Sequence, residues 1–269
     1  SSKLSQYDKA DKVEENIINI TNDILKEENL LWIAYTDLTG YPYMIDGDMI
    51  VIYDFAAAKQ IEADLNKAGY RVTFGNVDKD AFKTEIAHMY RNGYKKIRFM
   101  DGKMEPFVVE REELYPYEEF FKDDYITNPG LQAAMLNYFQ EFRKQAPLEN
   151  RGDILKRREQ IMIDMMLNAE YMVPCVKEET EEEVEISHYF IDITDRVTEK
   201  EEGEHVIAIP VFTDGFEMDK CYEGHHENML YKFDELVSLM DELGASGIII
   251  NCLGISYFMR TALMKKILK

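Results

Sequence analysis

The sequence predicts an α/β fold, with the α+β character of mixed β-sheets flanked by helices, built as two repeated modules. One pattern occurs twice: Ile86–Gly102 and Leu236–Gly254 each contain an amphipathic helix ending at a glycine, a short apolar strand and a second glycine. An apolar strand lies upstream of each, in Met49–Asp54 and Val206–Thr213. Strands that alternate with helices of this length indicate an α/β layer. A pattern that occurs twice indicates a doubled structural unit.

The length of 269 residues agrees with two such modules, because a domain typically takes about 150 residues. Residues 1–117 form the expected first module, and residues 170–269 form the second. Between them, residues 118–169 lack the strand pattern and carry two helical apolar stripes. We therefore expect a helical connector that packs on one or both modules.

Apolar spacing and turn residues define the elements of the first module. Val13 and Ile17 begin a stripe with steps of three and four residues, which indicates one face of a helix. Gly69 and Gly93 are suited to helix C-termini. The expected elements are a helix over 8–28, strands over 30–35 and 48–53, a helix over 56–68, a strand over 70–74, a helix over 79–92 and a strand over 95–99.

The connector and the second module are assigned in the same way. Asn128–Gly130 indicates a turn and a helix start, and Pro147 ends that helix. Thr213–Asp214 offers an N-cap to a short helix. The remaining expected elements are a second connector helix running towards Glu170, strands over 171–176 and 184–193, a helix over 231–243, a strand over 247–251 and a closing helix over 255–268.

The charge of the chain restricts its partners. A formal net charge of −21 argues against nucleic acid, which needs clustered Lys and Arg. An anionic membrane surface is disfavoured for the same reason. Residues 177–204 contain twelve acids and three bases, concentrated in two loops that flank the strand 184–193. We expect a hairpin with acidic tips, and the acidity also admits a basic partner.

Cysteine usage and hydropathy predict a cytoplasmic location. The three cysteines, Cys175, Cys221 and Cys252, are widely spaced and form no CxxC pair, which fits free thiols in a reducing compartment. No apolar run reaches the ~18 residues that a membrane helix needs, so we expect no membrane association.

Several segments of the second module resemble the SseB family, named for the bacterial enhanced serine sensitivity protein and its N-terminal domain. The resemblance lies in Tyr171–Val176, in the strand into Pro210–Thr213 and in Gly247–Gly254, although Cys252 stands where that family typically has a proline. The first module resembles a divergent second copy. The resemblance implies an α/β fold with a mixed sheet and a bacterial cytoplasmic origin, and it supplies no catalytic residues.

Polar residues at two strand ends form the first candidate site. Asp214 and Glu217 follow one apolar strand of the second module, and Asn251 follows another. In open α/β sheets, ligands favour the crevice at the carboxyl ends of strands. Two carboxylates there are also suited to acid–base chemistry. A helix cap and exposed first-turn acids explain the same residues without a ligand.

An aromatic loop forms the second candidate site. Tyr41, Tyr43 and Met44 lie in a turn-rich segment near Trp32. Tyr and Met are enriched at protein interfaces, so an exposed patch here would bind a partner. A loop packed on the core of the module is the alternative.

Cys221, His225 and His226 form the one local cluster of metal-ligand types in the sequence. Thiolate and imidazole groups suit Zn²⁺ when three or four of them converge. Leu230 replaces the second histidine of an HExxH motif, and a polar loop explains the cluster equally well. We expect no cofactor.

The sequence therefore predicts a non-enzymatic module that binds a protein partner or a small-molecule ligand. A metal- or thiol-dependent hydrolase is the alternative. The sequence leaves the partner and the oligomeric state open.

Overall fold

The fold is described from a computed structural model, and its described residues divide into two compact units. The described residues are 16–26, 30–103, 105–122, 125–179, 184–222 and 227–269. Unit 1 comprises Ser1–Asp123 and Phe139–Leu148, and unit 2 comprises Asp124–Tyr138 and Glu149–Lys269. Both units contain helices and a mixed sheet, so the predicted α/β class is confirmed.

Unit 1 contains a mixed sheet and the helices that connect its strands. The strands are β1 (Leu31–Thr36), β2 (Met44–Ile45), β3 (Asp48–Ile52), β4 (Val72–Val77), β5 (Lys96–Met100) and β6 (Phe107–Glu110). The helices are α1 (residues 16–24), α2 (Phe55–Lys67), α3 (Lys79–Asn92) and α4 (Arg111–Leu114), with a 3-10 turn at Tyr117–Glu119.

The strand order of unit 1 is β4-β1-β3-β5-β6, and β2 pairs with β3. The central pair, β3 and β5, is parallel, and the other pairs are antiparallel. Every residue of β3 is buried, as expected for a strand covered on both faces. Ile33, Phe82 and Phe99 are fully buried beside it.

Unit 2 contains the remaining elements, apart from the last residues of α5, which belong to unit 1. Its helices are α5 (Pro129–Phe142), α6 (Gly152–Leu167), α7 (Gly215–Asp219), α8 (Phe233–Leu243) and α9 (Thr261–Ile267). Its strands are β7 (Glu170–Glu179), β8 (Val184–His188), β9 (Ile191–Asp192), β10 (Ile207–Val211), β11 (Asn228–Lys232), β12 (Gly247–Ile250) and β13 (Tyr257–Arg260), and Thr194–Arg196 form a 3-10 turn.

The strands of unit 2 lie in the orders β13-β12-β10-β9 and β11-β7-β8. Backbone hydrogen bonds of 2.9 Å between Met172 and Phe212 connect β7 to the residue after β10. The parallel pair is β10 and β12, and β13 runs antiparallel to β12. With the bridge included, β11-β7-β10-β12-β13 matches the order β4-β1-β3-β5-β6 of unit 1.

The residues of the predicted connector are distributed between the two units. The predicted helices of this segment are α5 and α6, and the division between the units falls within α5. The predicted boundaries 1–117, 118–169 and 170–269 stay a prediction. Within the described ranges, no helix combines the length and the apolar character needed to cross a membrane.

The single strand predicted over 184–193 is wrong, because the chain forms two strands in this segment. β8 pairs with β7, whereas β9 pairs with β10. Residues 189–190 leave the ladder between them, and the Tyr189 ring packs 5.2 Å from the ring of Tyr222. The apolar run is therefore divided between two sheets, which its sequence pattern does not reveal.

The closing helix predicted over 255–268 is also wrong in its first half. Tyr257–Arg260 pairs with β12, and α9 begins only at Thr261. Sheet hydrogen bonds there outweigh the helical spacing, and Tyr and Phe favour strands. The helix predicted to begin at residue 231 begins at Phe233, because β11 extends to Lys232 and pairs with β7.

A substitution at Gly69 tests the packing of the turn after α2. Gly69 has a φ of +92°, and an added Cβ would overlap the backbone oxygen of Gln145. We expect Gly69→Ala to lower the free energy of unfolding by about 3 kcal/mol, of which the left-handed backbone accounts for about 1–2 kcal/mol. Urea denaturation measures the change.

Gly40→Ala is the matched control. Gly40 has a φ of +78°, and a Cβ there would meet nothing within 4 Å. It should therefore cost only the backbone strain, about 1–2 kcal/mol. Equal losses for the two variants would contradict the close approach at Gly69.

Candidate functional site

The predicted strand-end residues of unit 2 are close together. β10 and β12 are parallel, so their carboxyl ends meet at one edge of the sheet. Thr213 and Asp214 follow β10, and Asn251 follows β12 directly. All three are buried, with exposures of 1% or less. These residues are therefore neighbours in the structure, and they lie in the interior of unit 2.

Asn251 makes hydrogen bonds with every polar group that it carries. Its Oδ1 accepts from the Thr213 amide at 3.0 Å, and its Nδ2 donates to Thr213 Oγ1 at 2.9 Å and to Gln132 Oε1 at 3.1 Å. Its backbone nitrogen donates to the carbonyl of Val211, and its carbonyl accepts from the amides of Gly254 and Ser256. Its φ of +50° lies in the left-handed region, which Asn tolerates better than most residues.

Asp214 caps α7 with one carboxylate oxygen. Oδ1 accepts from the Glu217 amide at 3.1 Å, and Oδ2 accepts from Thr213 Oγ1 at 3.0 Å. The cap predicted from the sequence is therefore present. Because both oxygens already accept hydrogen bonds inside the protein, the geometry favours a structural role for Asp214.

Glu217 is a buried carboxylate paired with a partly exposed lysine. Its side chain is 2% exposed, and its Oε1 lies 2.7 Å from Lys220 Nζ. The Lys220 ammonium also lies 4.9 Å from the centre of the Phe216 ring. The attraction between the two charges offsets part of the cost of burying the carboxylate. A ligand role for Asp214, Glu217 and Asn251 stays a prediction.

The corresponding strand end of unit 1 is more open to solvent. Asp54 caps α2 by accepting from the Ala57 amide at 2.9 Å, and its side chain is 30% exposed. That hydrogen bond and the nearby Lys103 ammonium hold the pKa of the Asp54 carboxyl below its ordinary value. Burial and the charge of Asp101 raise the pKa of Tyr53. Asp54 and Asp214 therefore both cap the helix that follows the strand, but only Asp214 belongs to a buried hydrogen-bond network.

The aromatic loop of unit 1 points inward. Tyr41, Tyr43 and Met44 are 7%, 6% and 6% exposed. The Tyr43 ring packs with its centre 5.1 Å from that of Tyr70. The Met44 amide donates to Gln140 Oε1, and Gln140 Nε2 donates to the Met44 carbonyl, both at 2.9 Å. These contacts correspond to the packed-loop alternative. They correct the expectation of an exposed patch, because buried side chains present no binding surface.

The predicted metal cluster falls partly outside the described residues. His225 and His226 lie outside them, whereas Cys221 lies inside. Cys221 Sγ is 2.9 Å from Cys252 Sγ, a thiol that the metal hypothesis did not include. Among the residues that the structure describes, no three His, Cys, Asp or Glu side chains converge as metal ligands.

The hairpin of β7 and β8, hereafter the acidic hairpin, exposes apolar side chains in a segment of unit 2 that the sequence did not single out as a site. Val176, Val184 and Ile186 are 40%, 55% and 40% exposed. In the register, Val176 faces Ser187, and Ile186 faces Lys177. Side chains of successive residues point to opposite faces, so both faces carry exposed apolar side chains.

Two glutamates lie directly opposite each other in the acidic hairpin. Glu178 pairs with Glu185 in the register, and both are exposed. Like charges in directly opposite positions destabilise a strand pair. Among the described residues, β8 pairs with β7 alone, so its outer edge keeps unpaired backbone groups. Alternation in the sequence suggested a hairpin, but the exposure of both faces could not be read from it.

Comparison with protein families, with curated proteins and with solved structures finds no match for this chain.

Two substitutions at Asn251 separate its hydrogen bonds from its backbone conformation. Asn251→Ala leaves the Thr213 amide, Thr213 Oγ1 and Gln132 Oε1 without this partner. The Thr213 amide is then left unsatisfied, which costs about 1–3 kcal/mol, and each of the two other lost bonds costs about 0.5–1.5 kcal/mol, so we expect a loss of at least about 2 kcal/mol in the free energy of unfolding. Asn251→Gly relieves the left-handed backbone but loses the same bonds, so it should also destabilise strongly in urea denaturation. Wild-type stability in the glycine variant would contradict the role of the side chain.

Proposed function

We propose that the protein is a non-enzymatic binding module in which strand β8 of the acidic hairpin binds an extended, basic segment of a partner protein. One observation carries the proposal: the acidic hairpin exposes apolar side chains on both faces and a strand edge that pairs with no other described strand, while two glutamates oppose each other within it. The sequence also predicts a binding module, but the surface proposed here is the acidic hairpin of unit 2 and not the aromatic loop of unit 1.

The free edge of β8 supplies the backbone part of recognition. An extended peptide adds to such an edge through main-chain hydrogen bonds, and side-chain pockets then select its sequence. β8 is five residues long, which matches the length of a typical added strand. β8 pairs with residues 175–179 of β7, whereas β11 pairs with residues 170–174, so among the described strands the ladder beside β8 is only two strands wide. A two-stranded ladder is marginally stable, and a third strand would stabilise it.

The charge pattern selects the partner. Glu178 and Glu185 repel each other across the ladder, and a cation placed beside them would relieve that repulsion. Complementary charge also accelerates association and disfavours wrong partners. A second copy of the same acidic edge would add to the repulsion. We therefore infer that the partner is basic and different from this chain.

The exposed Val184 and Ile186 side chains supply the apolar contact. They lie two residues apart on β8, so they point to the same face. A partner strand with apolar residues at alternate positions would cover them. Such a segment alternates basic and apolar residues.

The alternative of a metal- or thiol-dependent hydrolase has less support from the geometry. Both oxygens of Asp214 accept hydrogen bonds, and the Glu217 carboxylate pairs with Lys220. Among the described residues, Cys221 belongs to no group of three metal-ligand side chains, and its sulfur lies 2.9 Å from the buried Cys252 thiol. This alternative stays a prediction.

We also infer that the two units are copies of one module. The support is the shared strand order, with the parallel pairs β3–β5 and β10–β12 at equivalent places. The aspartate caps Asp54 and Asp214 follow the first strand of each pair. The resemblance to the SseB family and the bacterial cytoplasmic location remain proposals of the same kind.

A peptide-binding experiment tests the acidic hairpin. A fluorescent peptide of alternating lysine and valine is titrated with the full-length chain, and binding is followed by anisotropy. We expect binding that weakens with added salt. The double variant Glu178→Lys/Glu185→Lys should bind at least about tenfold more weakly, which corresponds to about 1.4 kcal/mol.

Glu199→Lys/Glu201→Lys is the matched control. It makes the same change in net charge in the other acidic loop of unit 2, where both side chains are exposed. This variant should keep most of the wild-type affinity. An equal loss in the two variants would mean that the peptide responds only to net charge, and absence of binding to the wild type would contradict the proposal.

A further inference from the structure

Two cysteine thiols meet beside the strand-end network of unit 2. Cys252 follows Asn251 directly, in the turn after β12, and Cys221 lies two residues beyond the end of α7. Their sulfur atoms are 2.9 Å apart. An S–S bond is about 2.05 Å long, so bond formation requires an approach of less than about 1 Å.

The two thiols differ in access to solvent. Cys252 is 8% exposed and packs in a buried cluster with Met172 and Phe212, whereas Cys221 is only partly buried against that cluster. Burial and the adjacent Cys221 raise the pKa of the Cys252 thiol to about 12. A soluble oxidant therefore reaches Cys221 first, and Cys252 reacts as the second, resolving thiol.

We propose that Cys221 and Cys252 are a redox-active pair that closes reversibly to an intramolecular disulfide by exchange with a low-molecular-weight disulfide. In the first step Cys221 loses its proton to water, and its thiolate attacks one sulfur of the small disulfide, forms a mixed disulfide and releases one small thiolate. In the second step Cys252 loses its proton to the released thiolate and attacks Cys221 Sγ, and the second small thiolate leaves and takes a proton from water. Two protein thiols are oxidised, and one small disulfide is reduced to two small thiols.

Closure would join two segments that both carry residues of the buried network. Cys221 follows Lys220, which pairs with Glu217, and Cys252 follows Asn251. The bond would close a loop between positions separated by 31 residues, which restricts the unfolded chain. Oxidation should therefore raise the melting temperature, while the small distance between the sulfurs keeps the native structure nearly unchanged.

The experiment titrates the full-length chain with oxidised glutathione against reduced glutathione. Free thiols are counted under denaturing conditions, and peptides are identified by mass spectrometry. The sequence contains three cysteines. We expect the thiol count to fall from three to one, with a link between the Cys221 and Cys252 peptides. Reduction should restore all three thiols.

Single substitutions test the order of the two steps. Cys252→Ser should accumulate a glutathione adduct on Cys221, because the resolving thiol is missing. Cys221→Ser should leave Cys252 unmodified, because Cys252 is buried. Cys175→Ser is the control, since Cys175 is also buried but is not paired with another cysteine in the structure, and this variant should still form the link.

The wild-type titration decides the proposal even where a variant folds poorly. Three thiols that persist under oxidising conditions would overturn it, and so would a link to Cys175 or links only between molecules. Circular dichroism confirms that each variant is folded, and alanine replaces serine where the serine variant is not.

Discussion

The amide of Asn251 is the interaction on which unit 2 depends. It lies where the parallel strands β10 and β12 end, a place where backbone groups leave the ladder and lose their partners. Its side-chain oxygen accepts a hydrogen bond from the Thr213 amide, and its side-chain nitrogen donates one to Gln132 of α5. Its backbone has a left-handed conformation. A buried polar network is stabilising only when its members are satisfied. In this network one amide provides three of the bonds, so strand, turn and helix are held in one arrangement.

In unit 1 the corresponding strand end also carries a helix cap, but it is more exposed to solvent. The aspartate after its central strand, Asp54, caps α2 as Asp214 caps α7. In unit 1 the carboxylate stays partly exposed and is 3.2 Å from Lys103. The cap satisfies backbone amides at the start of a helix in both cases, and it leaves the second carboxylate oxygen available for another partner. In unit 1 the exposed Lys103 ammonium interacts with this second oxygen. In unit 2 the buried Thr213 hydroxyl donates a hydrogen bond to it.

Features that depend on neighbouring residues, such as helix caps, were predicted from the sequence. Most of the wrong predictions concern segments whose conformation depends on a distant strand. The caps at Asp214 and Gly93 were predictable because a cap needs only neighbouring residues. The strand Tyr257–Arg260 was not, because its partner β12 decides its conformation. Likewise, aromatic composition cannot tell whether Tyr43 faces solvent or the core. The contact between Cys221 and Cys252 joins residues 31 positions apart, and only the topology brings them together.

The acidic hairpin is better explained by a partner than by solvation alone. Charges by themselves protect an exposed strand edge from unwanted pairing, and the glutamates of β7 and β8 would serve that purpose if the neighbouring positions were polar. Instead Val184 and Ile186 occupy exposed positions of the same strand. Each exposed valine or isoleucine forgoes the stabilisation that burial would bring, about 1.5–3 kcal/mol when complete. The opposed pair Glu178 and Glu185 adds a further cost to the free hairpin. A basic, apolar strand would recover both contributions at once, which is the combination that the proposed partner segment supplies.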